Sequence, residues 1–451
     1  MTVSVLWFRR DLRLSDNPAL RAAMATADQV LGLFVVDPAL YEPAGPPRLA
    51  FLNRCLRALD TDMDGRLTVL SGRPEVVVPD LVRRVRAVSV HVSADFGPYG
   101  AARDARVERA LDGVPLVRTG SPYAVPPGTV TKPDGTGYRI FAPYFRGWCA
   151  HGWPPPAPRP RAVAWARLRG DGLPTEPAVP ADMTLPEGGE RAGRTRWRRF
   201  AGEPLVDYER VHDRPDLDAT SRLSPYLRWG CLHPRTVLAG LDGAGAGVAA
   251  FRRQLAWRDF YADVLWYLPD SAHQSVLPGM RRMRTDQGRS SDALFAAWAD
   301  GRTGYPIVDA GMRQLRTEGW MHNRVRLITA SFLVKDLHLD WSRGARHFMR
   351  WLVDGDLASN QHGWQWVAGT GSQAAPFHRV FNPVTQGQKS DPAGDYVRRH
   401  VPELRQIAGR AVHRPWDLPG GPPDDYPPPV VEHAIERQEA LGRYRELRGR
   451  G

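Results

Sequence analysis

The chain of 451 residues has almost no lysine and very few cysteines. Only three of its 61 basic residues are lysines, so the other 58 are arginines. The three cysteines lie far apart with no paired spacing, which excludes a disulfide framework and a four-cysteine zinc or iron–sulfur site. The 13 histidines include no HExxH and no pair at metal-ligand spacing, so no metal is expected.

Long apolar runs are absent as well. No uninterrupted run approaches the roughly 20 apolar residues that a membrane span needs. The first ten residues enter a strand-like run and lack the layout of a signal peptide. We therefore expect a cytoplasmic protein that has no membrane partner and acts as a monomer.

Arginine carries the charge that is present. The chain holds 61 basic against 49 acidic residues, a net charge of +12, together with 15 tryptophans. Guanidinium groups bind phosphates by charge and by bidentate geometry, which points to nucleic acid as a partner. GC-rich coding, which enriches Arg, Ala, Gly and Pro together, explains the surplus equally well. The positions of the arginines have to decide between these explanations.

Residues 1–125 alternate short β-rich runs with helical stretches. This alternation predicts an α/β domain with a five-stranded, parallel, doubly wound sheet. The domain has no G-x-G-x-x-G and no P-loop, so neither a dinucleotide nor ATP is indicated there. The predicted strands are Val3–Phe8, Val30–Val36, Leu67–Leu70, Val88–Val92 and Leu116–Arg118. The predicted helices lie near Asp16–Ala25, Pro47–Asp60, Glu75–Arg86 and Ala101–Leu111.

The rest of the chain changes character twice. Residues 126–195 are rich in Pro and Gly, which predicts a long interdomain linker with little regular structure. Residues 196–430 show apolar positions three to four apart and no strand pattern, which predicts an all-α domain. Residues 431–451 are basic and amphipathic, as in a terminal helix or a fraying tail.

Four runs in the helical half combine groups that suit ligand binding. Hydroxyls and an arginine precede a helix start at 218–227, which is typical of an anion-binding rim and also of a plain N-cap. Three further runs mix aromatic, amide and arginine side chains, with Gln254, Trp257 and Arg258 on one helical face. This mixture suits a stacked heterocycle beside a phosphate backbone. The three runs are Phe251–Tyr261, Gly319–Arg326 and Asp354–Trp366.

These runs, together with Gly301–Asp309 and the opening motif Trp7–Asn17, resemble the photolyase/cryptochrome family in order and in spacing. The resemblance extends from about residue 3 to about residue 410. It is strongest to class I cyclobutane pyrimidine dimer photolyases. The three segments that carry it are Trp320–Arg326, Ile328–Asp336 and Phe381–Gly387.

The resemblance implies that the helical domain holds reduced, anionic FAD in a bent form. Asp354 would pair with Arg326, and Asn360 would lie at flavin N5. A neutral amide there neither repels electrons nor fixes one protonation state. The implied FAD contacts are Tyr208, Thr220, Ser221, Arg222, Leu223, Ser224, Phe251, Arg326, Asp354, Gly355, Asp356 and Asn360.

The resemblance also implies DNA containing pyrimidine dimers as the partner. Excited FAD would donate an electron to a flipped-out dimer, the cyclobutane ring would split, and the electron would return. The implied catalytic residues are Trp257, Asn323, Gln254, Trp366 and Asn360. The implied DNA contacts are Gln254, Trp257, Arg258, Asn323, Arg324, Trp366, Arg379, Gln386 and Lys389.

The chain departs from the class I pattern beside the substrate. Gln254 replaces a glutamate, so a carboxylate's charge and transferable proton are missing. Leu327 replaces a methionine, which is a nearly isosteric change. A glutamine at the position of Gln254 resembles (6-4) photolyases. However, the two histidines that (6-4) repair needs would fall at positions where this chain has Asn323 and Leu327. A cryptochrome-like photoreceptor that binds FAD without repairing DNA is the alternative function.

Two further departures concern electron transfer and the antenna. Trp364 and Trp341 match the first two tryptophans that photoreduce FAD, whereas Gly288 stands at the outermost position. Residues 1–125 would bind an antenna chromophore. Tyr99 and Gly100 replace the Asn-Glu pair of folate-binding (MTHF) members, so a deazaflavin (8-HDF) is favoured, and an empty pocket is the alternative.

Overall fold

Five parallel strands form the sheet of the N-terminal half, in the order β3-β2-β1-β4-β5. The structure is a computed structural model that describes residues 1–241, 243–372 and 379–449. The register of β1 and β2 runs from Val3 opposite Gln29 to Phe8 opposite Phe34. The strands are β1 (Val3–Phe8), β2 (Gln29–Val36), β3 (Thr68–Ser71), β4 (Ser89–Val92) and β5 (Leu116–Arg118).

Five helices lie between the strands of this sheet along the chain. Pro18, Pro74 and Pro98 each open a helix, because a proline's fixed φ suits the first turn and its missing N–H leaves no bond unmade there. The predicted α/β fold class is confirmed. The helices are α1 (Pro18–Thr26), α2 (Pro38–Tyr41), α3 (Pro46–Asp62), α4 (Pro74–Val85) and α5 (Pro98–Ala110).

The chain between the two halves contains a helix that its Pro and Gly content did not predict. Helix α6 (Phe141–His151) packs against α12 (Ala246–Tyr267) through Phe141, Tyr144 and Trp148, all of them buried. These aromatic residues recur at helical spacing, so tertiary packing outweighs local composition here.

The second half is helical, as expected. A π-helical turn at Phe332–Asp336 and five short 3-10 turns complete it, the latter at Pro269–Ala272, Pro278–Arg282, Pro402–Leu404, Gly409–His413 and Pro415–Asp417. Among the described residues, none of the helices combines the length and apolar character needed to cross a membrane. Besides α12, the helices are α7 (Glu190–Ala201), α8 (Glu203–Val206), α9 (Tyr208–Val211), α10 (Ser224–Trp229), α11 (Pro234–Leu238), α13 (Arg289–Ala299), α14 (Pro306–Glu318), α15 (Asn323–Ser331), α16 (Trp341–Trp351), α17 (Leu357–Ala368), α18 (Pro383–Ser390), α19 (Asp395–His400) and α20 (His433–Gly449).

One apolar core joins the two halves. It runs from Phe8 and Phe51 in the α/β half to Tyr226, Phe251 and Phe260 in the helical half, and all five side chains are buried. Shared burial of this kind holds the halves together more firmly than a polar domain contact does. The sheet therefore serves as a rigid support for the helices that carry the candidate site.

A buried carboxylate fixes the interdomain chain to α12. Asp259 accepts hydrogen bonds from the backbone N–H of Val125 and from Trp148 Nε1, both at 3.1 Å. Burial raises its pKa to about 6, and nearby Arg258 and these hydrogen bonds only partly offset the lost hydration.

This shift predicts a pH-dependent stability. Between about pH 4 and pH 6 the folded state holds a proton that the unfolded chain has released, so stability falls as pH rises through that window. When the pH rises from below 4 to 7, the unfolding free energy of the parent should fall by about 3 kcal/mol more than that of Asp259→Asn. Urea unfolding at a series of pH values measures this difference. Asp80→Asn, at an exposed carboxylate, is the control, and parallel curves for the parent and Asp259→Asn would contradict the assignment.

Candidate functional site

Helix α17 lies at the centre of the candidate site. It packs against α12, α15 and α16, and α15 in turn packs against α18. The loop before α17 supplies Asp354, Gly355 and Asp356, and the helix itself supplies Asn360, Trp364 and Trp366. Most of the predicted site residues are therefore carried by a single helix and its neighbours.

Asp356 is the N-cap of α17 and is held by charges from both halves of the protein. Its Oδ1 accepts the N–H of Ser359 at 3.1 Å, as an N-cap does. Its Oδ2 pairs with Arg10 Nη2 at 2.6 Å and lies 4.0 Å from Arg228 Nε. Burial alone would raise the pKa of Asp356, but Arg10, Arg228 and Arg258 hold it well below its usual range.

Asp354 forms the ion pair that the resemblance implied. Its Oδ2 pairs with Arg326 Nη2 at 2.8 Å, and Arg326 Nε also donates to the carbonyl of Met321 at 2.8 Å. Its Oδ1 is buried and has no hydrogen-bond partner among the described residues. Asp354 thus holds one acceptor ready for a ligand, since a buried polar atom left unpaired is costly.

The side-chain amide of Asn360 is oriented by the two hydrogen bonds that its NH2 group donates. Its Nδ2 donates to the carbonyl of Ala345 at 3.1 Å and to Gln361 Oε1 at 2.8 Å. Oδ1 is therefore the atom able to accept a further hydrogen bond. This arrangement suits a ligand N–H such as that of reduced flavin N5.

The 220–224 segment is polar but already partly paired. Arg222 has φ +47, lies 4.4 Å over the ring of Trp320, and donates to Glu318 at 2.9 Å. Ser224 begins the six-residue helix α10 and accepts Trp320 Nε1 at 3.3 Å. Ser221 Oγ accepts the N–H of Leu223 at 3.3 Å, while Thr220 is half-buried.

Tyr208 and Phe251 belong to the same apolar core as Leu223 of this segment. Their rings meet edge to face at 5.2 Å, and both are buried in a cluster with Trp197 and Phe200. They therefore form part of one buried aromatic cluster in the helical half.

Residues that can hold a flavin are present. Gly355 carries no side chain where a Cβ would come within 3.1 Å of Arg48 Nη1, and its carbonyl accepts Arg228 Nε at 2.9 Å. Asp354 Oδ1 and Arg228 Nη1 are buried and have no hydrogen-bond partner among the described residues. Acceptors, donors and a close-approach glycine together fit the polar edge of FAD. Within the described ranges, no group of His, Cys, Asp and Glu side chains could hold a metal ion.

The DNA-contact residues predicted from the sequence divide by exposure. Gln254, Asn323, Arg379 and Lys389 are exposed, whereas Trp257, Arg324, Trp366 and Gln386 are half-buried. Arg324 is also paired with Asp213. All eight lie on or beside α12, α15, α17 and α18, so a single surface of the helical half can present them.

Arg258 differs from the other predicted DNA contacts. Its Nη1 donates to the carbonyl of Pro122 at 2.9 Å and its Nη2 to the carbonyl of Leu227 at 3.2 Å. Its guanidinium lies 4.6 Å from the centre of the Tyr123 ring. These bonds turn Arg258 inward, where it joins the two halves of the protein. Arg258 is therefore not expected to contact DNA, contrary to the prediction from the sequence.

Sequence reasoning missed two residues that shape the site. Arg10 reaches Asp356, 346 positions later in the chain. Phe141 stacks on Trp257 with ring centres 3.7 Å apart and planes 6° apart. Arg10 belongs to the opening motif, but nothing in its local sequence indicates the distant partner.

The tryptophans predicted for electron transfer are both buried. Trp341 Nε1 donates to Ser275 Oγ at 3.2 Å, and Trp364 lies one helical turn beyond Asn360. Gly288 is an exposed residue at the N-terminus of α13, where a Cβ would meet nothing within 4 Å. The outermost ring of this route is therefore missing.

The predicted antenna residues lie at the carboxyl edge of the sheet. Tyr99 Oη donates to Asp37 Oδ2 at 2.6 Å, just beyond the end of β2. Asp95, beyond β4, pairs with Arg103 at 3.2 Å. Parallel doubly wound sheets bind ligands at this edge, where the strand order reverses between β1 and β4.

An α/β sheet domain is joined to a helical domain in which α17 and the loop before it carry two carboxylates and an amide, an arrangement that suits a two-domain flavoprotein. Two family profiles match the chain, one described as DNA photolyase over residues 4–161 and one as the FAD-binding domain of DNA photolyase over residues 251–446. A deoxyribodipyrimidine photo-lyase from Streptomyces griseus is 44% identical over 467 residues and covers 100% of both chains. The chain belongs to the DNA photolyase family, and it is a FAD-binding photo-lyase of DNA repair.

Solved structures agree with this assignment. A class III photolyase from Agrobacterium tumefaciens superposes with a TM-score of 0.93 at 34% identity, covering 100% of this chain and 98% of that one. A cryptochrome from Synechocystis superposes with a TM-score of 0.86 at 26% identity, covering 98% and 99%. Since photolyases and a cryptochrome share this fold, the fold by itself does not assign the substrate.

The free acceptor of Asp354 predicts a loss of FAD affinity on substitution. Asp354→Asn should raise the Kd for FAD about 12- to 150-fold, because a charge-assisted hydrogen bond contributes about 1.5–3 kcal/mol. Quenching of FAD fluorescence by the apoprotein measures this Kd. Asp300→Asn removes a surface carboxylate paired with Arg316 at 2.7 Å and serves as the control. Equal affinity of the two variants would contradict a contact between Asp354 and FAD.

Proposed function

We propose that this enzyme repairs cyclobutane pyrimidine dimers in DNA under blue light. The observation that carries the proposal is the support of Trp257. Phe141 covers one face of its indole, and the half-buried side chain lies on α12, next to the helix that bears Asn360 and Trp366. A rigid aromatic wall beside a flavin site is what a flipped-out base requires.

The groups around this wall suit pyrimidine edges. Gln254 lies one turn before Trp257 on the same face of α12, and Asn323 begins α15, with both side chains exposed. An amide both donates and accepts, so it can bond the carbonyl and N–H groups of a pyrimidine. Trp366 supplies a second apolar surface.

Cationic groups surround the same surface. Arg379 and Lys389 are exposed, and Arg324 adds a third cation although Asp213 partly neutralises it. Gln386 on α18 can donate to a phosphate oxygen. Such contacts position DNA without reading its sequence, which suits an enzyme that must find lesions anywhere. The arginine surplus is therefore functional at these positions.

Reduced FAD, when bound and excited by light, supplies the electron that splits the cyclobutane ring. The chain holds and orients this cofactor. Asp354 and Asp356 provide carboxylates that Arg326 and Arg10 fix in place through ion pairs. Asn360 offers a neutral acceptor, so it adds no charge that opposes electron release.

The proposed substrate is a cyclobutane dimer and not a (6-4) lesion because the chain lacks the two histidines that (6-4) repair needs. Asn323 and Leu327 stand where (6-4) photolyases carry two histidines, so that chemistry has no acid here. Gln254 keeps hydrogen-bonding capacity without a carboxylate. The cryptochrome alternative is supported by the Synechocystis structure and by Gln254 itself, and only the repair assay decides between the two.

For the antenna position we infer a deazaflavin in place of a folate. A Cβ at Gly100 would lie 2.2 Å from Asp95 Cγ, and Asp95 is held by Arg103 and by the N–H of Gly97. The glutamate of folate-binding members therefore cannot stand at position 100 without displacing this ion pair. Tyr99 and Asp37 instead offer a hydroxyl and a carboxylate at the sheet edge.

Trp257→Ala should weaken both binding and repair of the dimer. Base–aromatic stacking contributes about 1–3 kcal/mol, so affinity for an oligonucleotide with one thymine dimer should fall about 5- to 150-fold. Gel shift in the dark measures binding, and dimer loss under blue light with chemically reduced enzyme measures repair. Trp266→Ala is the matched control, because Trp266 is 44% exposed and lies about 2.5 turns further along α12, on its opposite face.

The parent protein itself tests the proposal. If it contains reduced FAD and binds the oligonucleotide, yet leaves the dimer intact in light, the repair function is wrong and the photoreceptor alternative gains support.

The antenna inference predicts selective energy transfer. FAD-loaded protein titrated with 8-HDF should show quenching of 8-HDF fluorescence as energy passes to FAD, and titration with MTHF should show none. Tyr99→Phe, which loses the hydrogen bond to Asp37, should weaken 8-HDF binding without changing FAD content. Quenching of MTHF, or of neither chromophore, would contradict the inference.

A further inference from the structure

Two buried cysteines meet at the boundary between the two halves of the protein. Cys55 belongs to α3 in the α/β half, and Cys231 follows α10 in the helical half, 176 positions later in the chain. Their Sγ atoms lie 3.5 Å apart, within hydrogen-bond distance. Neither thiol belongs to the flavin or DNA contacts predicted from the sequence. The fold therefore brings together a thiol pair that spacing along the chain does not reveal.

The thiol pair lies in the apolar core that joins the halves. Both cysteines are fully buried, and the same core contains Phe51 of α3 and Tyr226 of α10. The rings of Phe51 and Tyr226 meet edge to face with centres 5.8 Å apart, so the two helices touch beside the sulfur atoms. The sulfurs of a disulfide are about 2.05 Å apart. A small approach of two side chains that already touch is therefore enough to join them.

The turn that carries Cys231 is fixed against the loop after β1. Arg13 Nη1 donates to the carbonyl of Gly230 at 2.9 Å. A Cβ at Gly230 would come within 1.9 Å of the carbonyl oxygen of Arg10, so the close approach requires glycine. Arg10 in turn pairs with Asp356. The thiol pair is therefore tied to the same loop that holds the acidic end of the candidate flavin site.

Burial controls how this pair can react. It raises the pKa of the Cys55 thiol well above its usual range, and the neighbouring Cys231 thiol adds to the shift. The thiolate is the reactive form, so the closed core protects both sulfurs from bulky or charged reagents. Oxidation therefore needs a small neutral oxidant, such as hydrogen peroxide, and a local opening of the core that admits it.

We propose that Cys55 and Cys231 form an oxidation site, at which a disulfide closes between the α/β half and the helical half and slows the release of FAD. The proposal goes beyond DNA repair and does not depend on the identity of the lesion. It gives a role to two residues that the repair chemistry leaves unused.

The reaction balances with hydrogen peroxide as the oxidant. One sulfur, as its thiolate, attacks a peroxide oxygen and the O–O bond breaks. The departing hydroxide takes up the proton that the thiol released, which leaves a sulfenic acid and one water. The second sulfur then attacks the sulfenic sulfur, the S–O bond breaks, and a second water forms with the proton of the second thiol. Overall, the two thiols lose two electrons and two protons, and the peroxide is reduced to two waters.

The disulfide would reach the cofactor through α10. This helix begins at Ser224, in the segment expected to hold the FAD phosphates. It also carries Arg228, whose Nε donates to the carbonyl of Gly355 at 2.9 Å. A covalent bond between α3 and the turn after α10 restricts separation of the two halves around these residues. FAD should therefore leave the oxidised protein more slowly than the reduced protein.

Peptide mapping tests the bond directly. FAD-loaded protein with Cys149→Ser, which removes the exposed thiol, is treated with hydrogen peroxide in the dark. It is then unfolded, blocked with N-ethylmaleimide and digested with trypsin. The expected product joins the tryptic peptide of residues 55–57 to that of residues 229–235, and dithiothreitol should separate the two. Oxygen added to either cysteine without this cross-link, or two free thiols after prolonged treatment, would overturn the proposal.

The rate of FAD release tests the consequence. The rise of flavin fluorescence after dilution should be several-fold slower for the cross-linked protein than for the same protein before oxidation. Cys231→Ala in the same background is the matched control, and peroxide should leave its rate unchanged. An unchanged rate in the cross-linked protein, or an equal slowing in Cys231→Ala, would also overturn the proposal.

Two features keep this test decisive. Cys231 is a core residue, so the comparison of one protein before and after oxidation remains valid if Cys231→Ala misfolds. Both measurements are made in the dark and without DNA, so a failure of light-driven repair in the parent remains distinguishable from a failure of this proposal.

Discussion

The ion pair between Arg10 and Asp356 is the interaction on which the site depends. It joins the loop after the first strand to the N-cap residue of α17, and both side chains are largely withdrawn from water. Removing one partner of a buried pair leaves an uncompensated charge, which costs far more than a surface pair is worth. The orientation of α17, and with it that of Asn360, Trp364 and Trp366, therefore depends on a residue from the other half of the protein.

Most of the fold could be predicted because its signals are local. Parallel strands buried on both faces appear as continuous apolar runs, and all five were found within about a residue of their observed ends. Helix α6 was missed because its surroundings are rich in Pro and Gly. Its stability comes from Phe141, Tyr144 and Trp148 packing under α12, and such tertiary contacts leave no mark in local composition.

The sequence predicts which residue types form the candidate site, but it does not predict which residues each of them contacts. The pair Arg326–Asp354 was implied by the family resemblance, whereas the direction of Arg258 was not, because its carbonyl acceptors at Pro122 and Leu227 come from distant parts of the chain. Asp309, the last residue of the Gly301–Asp309 run, accepts hydrogen bonds from Thr303 and Tyr426 in the core. Spacing shows which side chains share a face, and the tertiary fold decides what that face meets.

Because Phe141 stacks on Trp257, the helical half depends on residues outside it. One wall of the surface that would receive a damaged base is supported by a segment that composition alone describes as a connector. The helical half that carries Asp354 and Asp356 is therefore not expected to keep this arrangement when it is separated from the rest of the chain. An excised helical half would lose Phe141 from behind its indole and Arg10 from its acidic loop, so gene fusions that reuse this chemistry need the chain from its first strand onward.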